Sequence, residues 1–197
     1  MVAVYDEGMP NLKLKTGKKA PALNAEGVLG ERVMLTAYKD SYVLLAFMRY
    51  SGCPWCNLAI HRLSLECKIL KKQNCKVIVV VQSSKENILE NIYARHAVKP
   101  PYPIIADPEG DLYKKYHVSP SIKAVAHSLS KIPHWVHSVK KEGFSQGSMD
   151  GNFFMVPAWF LITPKTQKIA KAHYGSSYYE HETFTEVYEL LFSGVDI

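Results

Sequence analysis

The chain has 197 residues, of which 47% are hydrophobic and 21% are charged, a balance typical of a folded globular domain with one full core. The net charge of +6 raises the question of nucleic-acid binding, but the lysines are scattered instead of forming the basic stripe that such binding needs. Apolar runs are too short to cross a membrane, and the N-terminal residues lack the apolar core of a secretory signal. We therefore expect a cytoplasmic protein of one domain, residues 1–197, that binds neither nucleic acid nor membrane.

Buried strands alternate with helices along the first half of the chain. Turn signals within residues 11–37 predict a short hairpin, and the apolar run SYVLLAFM at 41–48 predicts a strand covered on both faces. A helical pattern over 54–72, a second buried strand at 75–84 and a helix over about 85–97 continue the alternation.

The second half begins with the same alternation and then departs from it. Residues 100–118 predict a strand, a turn and a short helix, after which residues 119–152 carry helical material and a glycine-bearing loop. PAWFLIT at 157–163 and QKIAKAHY at 167–174 predict an antiparallel pair, and an amphipathic helix over 180–192 follows. The predicted fold class is therefore α/β, with a mixed central sheet flanked by helices, an N-terminal hairpin and a helical insertion before the strand that begins at proline.

Cys53 and Cys56 lie at the junction between the strand at 41–48 and the helix at 54–72. Cys53 is thereby placed at the C-terminal edge of the sheet and at a helix N-terminus, where free N–H groups and the helix dipole stabilise a thiolate. Cys56 is about one helical turn away on the same face, so the two sulfurs are within reach of each other. We predict that Cys53 is the attacking thiol and Cys56 the resolving thiol.

Three neighbours of this pair are candidate supporting residues. Pro54 suits the first turn of a helix, where its missing N–H has no partner to lose. Trp55 either covers the disulfide and shapes a partner surface, or packs in the core. Arg49 either lowers the pKa of the nearby thiol or is a solvated charge, and we favour proximity to the thiolate.

Two other interpretations of the CxxC pair remain open. A structural zinc site needs four ligands, and the histidines that could complete one are His134 and His137, within the insertion. Alternatively, the two cysteines are inert buried thiols, as we expect Cys67 and Cys75 to be. A redox pair is the favoured interpretation because CxxC at a strand–helix junction is typical of redox sites, so we expect no metal and no cofactor.

Pro157 stands immediately before a strand that has the composition of a central strand, where proline is normally excluded. A cis bond between Val156 and Pro157 would explain its position, because cis bonds are essentially restricted to proline. An ordinary trans proline at the start of the strand is the alternative.

Four segments together resemble the thioredoxin superfold, and more narrowly its peroxiredoxin-like branch related to the alkyl hydroperoxide reductase C/thiol-specific antioxidant family. They are FMRYSGCPWCN, GKKAPALNAEGVLGERVML, IIADPEGDLYKKYHV, and VPAWFLI with KIAKAHYG. The resemblance covers roughly residues 11–193, with 119–152 weakly matched. It implies redox roles for Cys53 and Cys56, and a cis-proline bond at Val156–Pro157 that faces them.

The sequence also departs from the typical peroxiredoxin pattern. Tyr50 stands three residues before Cys53, where threonine or serine is usual, and no arginine follows Arg95. The departures favour thiol–disulfide exchange as the function. A thiol peroxidase acting on a hydroperoxide or a lipid endoperoxide is one alternative, and a non-catalytic redox sensor or binding module is another.

The resemblance and the dithiol chemistry also suggest the partners of the protein. They are a protein or small-molecule disulfide, or a hydroperoxide, with thioredoxin or glutathione as the reductant. Relatives of this branch often dimerise, so a homodimer is a further expectation.

Overall fold

In the computed structural model, which describes residues 13–129, 139, 141, 143–178 and 184–193, a five-stranded mixed sheet forms the centre of the protein. Its spatial order is β5-β4-β3-β6-β7. The strands are β3 (Tyr42–Phe47), β4 (Cys75–Val81), β5 (Ile104–Ala106), β6 (Ala158–Ile162) and β7 (Ile169–Tyr174), and a separate hairpin holds β1 (Asn24–Glu26) and β2 (Arg32–Met34). The mixed sheet and the N-terminal hairpin confirm the predicted fold class.

Helices lie on both faces of the sheet. The α-helices are α1 (Pro54–Lys72), α2 (Lys85–Ile88), α3 (Asp111–Lys115), α4 (Ile122–Leu129) and α5 (Thr185–Phe192), with a 3-10 helix at Leu35–Tyr38 and a π-helix at Leu89–Tyr93. One apolar core lies between the sheet and α1, and includes Ile60, Leu63 and Val79. The other lies between the sheet, the hairpin and α3, and includes Phe47 and Tyr113.

Strand β3 is central, and its two neighbours run in opposite directions. It is parallel to β4, with Phe47 opposite Val80, and antiparallel to β6, with Phe47 opposite Ala158. Because β3 and β6 are antiparallel, the end of β3 adjoins the start of β6. The chain after β3 and the chain before β6 therefore meet at one edge of the sheet.

Helix α1 begins at this edge. Cys53 is its N-cap and Pro54 its first residue, as the sequence predicts. The helix ends where the N–H of Gln73 bonds to the carbonyls of Ile69 and Leu70, and Asn74 follows in a left-handed conformation with φ of 51°. The buried face of α1 fixes the orientation of the helix on the sheet, and with it the position of the CxxC motif.

The predicted insertion at 119–152 is helical only in part where the structure describes it. Helix α4 opens it, and residues 143–152 form an irregular loop. Residues 130–138, 140 and 142 lie outside the described residues. Among the described helices, none combines the length and the apolar composition that crossing a membrane requires.

Candidate active site

The loop between β3 and α1, residues 48–53, which we call the redox loop after the role predicted for Cys53, and the first turn of α1 bring both thiols into the interior. The N–H of Cys53 donates to the carbonyl of Tyr50 at 3.1 Å, and the N–H of Asn57 donates to the carbonyl of Cys53 at 3.0 Å, which closes the first turn of α1. The side chains of Cys53 and Cys56 are 0% and 1% exposed, and both are free thiols. Both sulfurs are thus covered by the protein.

Arg49 is the polar group in contact with both sulfurs. Its Nη1 donates to Cys53 Sγ at 3.4 Å, and its backbone N–H donates to Cys56 Sγ at 3.4 Å. Its Nε donates to the carbonyl of Met155 at 3.1 Å, and its Nη2 donates to the carbonyl of Phe153 at 2.8 Å. Arg49 is 1% exposed, so the structure places it at the thiols and not in solvent.

Aromatic rings surround the guanidinium of Arg49. Its Cζ lies 3.4 Å from the ring centroid of Tyr178, 5.1 Å from that of Tyr50 and 5.5 Å from that of Phe153. Burial acts to lower the pKa of Arg49, but the negative charge available on the two thiols outweighs it and the pKa is raised. Arg49 therefore remains a cation inside the site.

The two cysteines have opposite pKa shifts. Burial acts to raise the pKa of Cys53, but the hydrogen bond with Cys56, the charge of Arg49 and backbone N–H groups of the first helical turn lower it to about 6. Burial and the hydrogen bond with Cys53 both raise the pKa of Cys56 well above its usual range. At neutral pH Cys53 is thus the thiolate, and Cys56 is the thiol that donates to it.

Residues 143–155, which we call the strap, cover this loop. The N–H of Gly147 donates to the carbonyl of Gly52 at 2.8 Å, and the N–H of Asn152 donates to Gln82 Oε1 at 3.0 Å. The backbone of Ser148 approaches Gly52 so closely that a Cβ at position 52 would clash with it. Glycine at position 52 therefore permits the strap to lie directly on the redox loop.

Asp150 anchors the strap at the end of β4 and the start of α2. Its Oδ1 accepts from Ser83 Oγ at 2.6 Å, and its Oδ2 accepts from the N–H of Ser84 at 3.0 Å and from Asn87 Nδ2 at 2.7 Å. Ser83 Oγ also accepts from the N–H of Ser51 at 2.8 Å. The same serine therefore ties the strap to the redox loop.

Asn57 and His96 fix the redox loop from the side of α1. Asn57 Nδ2 donates to the carbonyls of Ser51 at 2.6 Å and Cys53 at 3.0 Å, which leaves its Oδ1 as the acceptor for His96 Nε2 at 2.7 Å. This network assigns the proton to Nε2 of the imidazole. Burial, with the nearby charges of His61, Lys99 and Arg95, lowers the pKa of His96 to about 4, so the ring is neutral.

A family model described as the AhpC/TSA family matches residues 16–171. The chain belongs to the AhpC/TSA family. It is therefore an oxidoreductase of the thioredoxin-like kind, in the broad class that includes thiol oxidoreductases and peroxidases. No curated protein matches the chain.

Solved structures of this fold belong to both branches of the class. Peroxidoxin BcpB from Mycobacterium tuberculosis is 14% identical, with a TM-score of 0.65 over 92% of this chain and 99% of that one. A protein described as the thiol:disulfide interchange protein DsbE from Chlorobium tepidum is 20% identical, with a TM-score of 0.61 over 91% and 99%. Peroxiredoxin 6 from Arenicola marina is 18% identical, with a TM-score of 0.64 over 90% and 72%. At these identities the likeness shows the thioredoxin-like fold alone.

The predicted cis bond between Val156 and Pro157 is wrong, because this bond is trans in the structure. Strand β6 begins only at Ala158, so Pro157 precedes the hydrogen-bonded ladder and its missing N–H leaves no ladder bond unmade. Its carbonyl accepts from the N–H of Gly175 at 2.9 Å. Val156 and Pro157 thus follow Met155, whose carbonyl binds Arg49, and bring the chain from the site into β6.

The other predicted positions have clear surroundings. Trp55 is half-buried beside the pair, its ring centroid 6.4 Å from that of Tyr178, and its Nε1 has no hydrogen-bond partner among the described residues. Burial raises the pKa of Cys67 and of Cys75, which fits two unreactive thiols. No group of three metal-binding side chains occurs within the described part of the chain, and His134 and His137 lie outside it.

Sequence reasoning missed four residues of this site. They are Asn57, His96, Asp150 and Tyr178. Asn57 directly follows the CxxC pair, whereas the other three belong to no local motif and are remote from the pair in sequence. A usable signal was the glycine-bearing segment around Gly147 and Gly151, since glycine often marks a close approach of two backbones.

Proposed function

We propose that the protein reduces a small hydroperoxide, and that Cys53 and Cys56 cycle between dithiol and disulfide as it does so. The observation that carries the proposal is the hydrogen bond from the guanidinium of Arg49 to the sulfur of Cys53, a residue that is 0% exposed. A small oxidant reaches such a sulfur more readily than the disulfide of a folded protein does.

The reaction proceeds in two steps. The Cys53 thiolate attacks one oxygen of the hydroperoxide, the S–O bond forms as the O–O bond breaks, and the alkoxide or hydroxide takes up a proton. Cys53 is now a sulfenic acid. The Cys56 sulfur then loses its proton and attacks the Cys53 sulfur, forming the disulfide and releasing water. An external thiol reductant, thioredoxin or glutathione, returns the pair to the dithiol state.

Arg49 supports this chemistry in two ways. Its charge favours the thiolate in the ground state, and the same charge, 3.4 Å from the Cys53 sulfur, would stabilise the negative charge that develops on the leaving oxygen. The sequence offers no arginine after Arg95, where a typical peroxiredoxin supplies one. We propose that Arg49, four residues before Cys53, has the role of that later arginine.

Thiol–disulfide exchange is the second candidate. The resolving thiol is three residues from the attacking one, and the backbone N–H of Arg49 donates to Cys56 Sγ, an arrangement that suits release of a mixed disulfide. The strap must move before a protein disulfide reaches Cys53. The same movement is required for thioredoxin to reach the oxidised pair, and a reducing compartment such as the cytoplasm suits both candidates.

A stopped-flow comparison of oxidants tests the proposal. The reduced protein is mixed with hydrogen peroxide or with oxidised glutathione as a model disulfide, and the fluorescence of the tryptophans, which include Trp55 within the motif, reports oxidation. We expect the larger second-order rate constant with hydrogen peroxide, and no signal change with either oxidant in Cys53→Ser. A larger rate constant with oxidised glutathione favours disulfide exchange. Negligible turnover with both oxidants, despite redox-dependent binding of another protein, favours the redox sensor.

A further inference from the structure

Tyr178 contacts the charged group of Arg49 more closely than the other rings of the site do. The Cζ of Arg49 lies 3.4 Å from the Tyr178 ring centroid, against 5.1 Å for Tyr50 and 5.5 Å for Phe153. A cation in contact with an aromatic face is attracted to the negative charge of that face, and the attraction is larger in a desolvated site. Tyr178 therefore covers one face of the guanidinium.

The Tyr178 hydroxyl reinforces the same arrangement. It donates to the carbonyl of Phe153 at 2.7 Å, and that carbonyl also accepts from Arg49 Nη2 at 2.8 Å. The carbonyls of Phe153 and Met155 thus fix the edge of the guanidinium while the Tyr178 ring occupies its face. With edge and face both held, Nη1 remains directed at Cys53 Sγ.

Tyr178 is itself held by the first part of the insertion. Its backbone N–H donates to Ser128 Oγ at 2.9 Å, and Ser128 in α4 donates to the carbonyl of Ala124 at 2.6 Å. Its side chain packs between Trp55 and Phe153, with centroid distances of 6.4 and 5.9 Å, and the residue is 4% exposed. Helix α4 therefore supports the site through Tyr178.

We infer that Tyr178 is a positioning residue, whose ring face holds the Arg49 guanidinium against the Cys53 sulfur and keeps water from the guanidinium. This inference rests on the proposed function insofar as Cys53 is the attacking thiol. Tyr178 does not need to touch the oxidant, because it acts through Arg49. A merely structural role for Tyr178 predicts a change in stability with no change in the ionisation of Cys53.

The test is the pH titration of thiolate ultraviolet absorbance in the reduced protein. Burial raises the pKa of Cys56, Cys67 and Cys75, so a step below the usual thiol range belongs to Cys53, and Cys53→Ser provides the blank. We expect Tyr178→Leu to raise the Cys53 pKa by about one unit, an about tenfold loss of thiolate at acidic pH. We expect Tyr178→Phe, which keeps the ring face, to shift it much less.

A second series of variants weakens the negative charge of the ring face at position 178 and keeps the shape of the ring. Fluorinated phenylalanines at position 178 weaken the negative ring face stepwise, and the Cys53 pKa should rise with each added fluorine. Tyr178→Leu should also add no further shift to an Arg49→Met protein. An unchanged Cys53 pKa across the fluorinated series overturns the inference. A wild-type protein without the low-pKa step contradicts the proposed function itself, and the role of Tyr178 with it.

Discussion

Replacing Arg49 with methionine keeps much of the apolar stem and removes the charge beside the Cys53 sulfur. Two unit charges about 4 Å apart attract by about 4 kcal/mol at the effective dielectric constant of about 20 that reproduces protein ionisation best. Arg49 Nη1 lies 3.4 Å from Cys53 Sγ in a fully buried pair, so this value applies with little screening by solvent. Since one pKa unit corresponds to about 1.4 kcal/mol, the charge accounts for roughly 3 units.

We therefore expect Arg49→Met to raise the pKa of Cys53 by roughly 3 units, from about 6 to above the usual thiol value of about 8.5, because burial remains. The reaction with hydrogen peroxide at neutral pH should slow at least in proportion to the lost thiolate. The carbonyl of Met155 also loses its donor, which should lower the free energy of unfolding by about 1–3 kcal/mol, whereas the carbonyl of Phe153 still accepts from the Tyr178 hydroxyl.

The assay is again the titration of thiolate absorbance, with Arg32→Met on the exposed face of β2 as the matched control. Arg49→Lys should give an intermediate pKa, since an ammonium keeps the charge but cannot reach both carbonyls and the sulfur at once. A Cys53 pKa in Arg49→Met that equals the wild-type value, with the fold intact by circular dichroism, would refute the electrostatic reasoning.

Three further predictions concern the rest of the site. The pKa of His96 is lowered to about 4 in the folded protein, so the unfolded chain binds the proton first as the pH drops. The free energy of unfolding should therefore fall between about pH 6.5 and pH 4, by up to about 1.4 kcal/mol per pH unit. Urea denaturation across that range measures this contribution, which should vanish in His96→Gln. Asp150→Ala should release the strap, seen as faster hydrogen exchange over residues 143–155 and as faster oxidation by oxidised glutathione relative to hydrogen peroxide; equal exchange in both proteins would contradict the anchoring role. Cys56→Ser should stop the cycle at the Cys53 sulfenic acid, which dimedone traps for mass spectrometry, and absence of the adduct would count against Cys53 as the attacking thiol.

The local sequence was sufficient to predict the framework of the site. The continuous apolar run of β3 is explained by its burial on both faces, and Pro54 marks the start of α1 where the helical pattern begins. Because a strand–helix junction is a local feature, the position of Cys53 at a helix N-terminus followed directly. The proximity of Arg49 to the thiols could be favoured for the same reason.

Long-range contacts could not be predicted from these patterns. Tyr178 and the carbonyl of Phe153 reach Arg49 because β6 is antiparallel to β3 and because α4 holds the segment after β7. The residues of the CxxC region predict neither of these arrangements. The trans bond at Pro157 was missed because its position relative to the first ladder bond of β6 decides whether proline is tolerated there. A shift of one residue in the strand boundary reverses that expectation.

The most direct test of the account is peptide mapping after the reduced protein reacts with one equivalent of hydrogen peroxide. We predict consumption of the peroxide and a disulfide that joins Cys53 to Cys56, with Cys67 and Cys75 still free. Cys53→Ser should leave the peroxide unconsumed. Oxidation confined to Cys67 or Cys75, or peroxide consumption that persists in Cys53→Ser, would contradict the assignment of the active site.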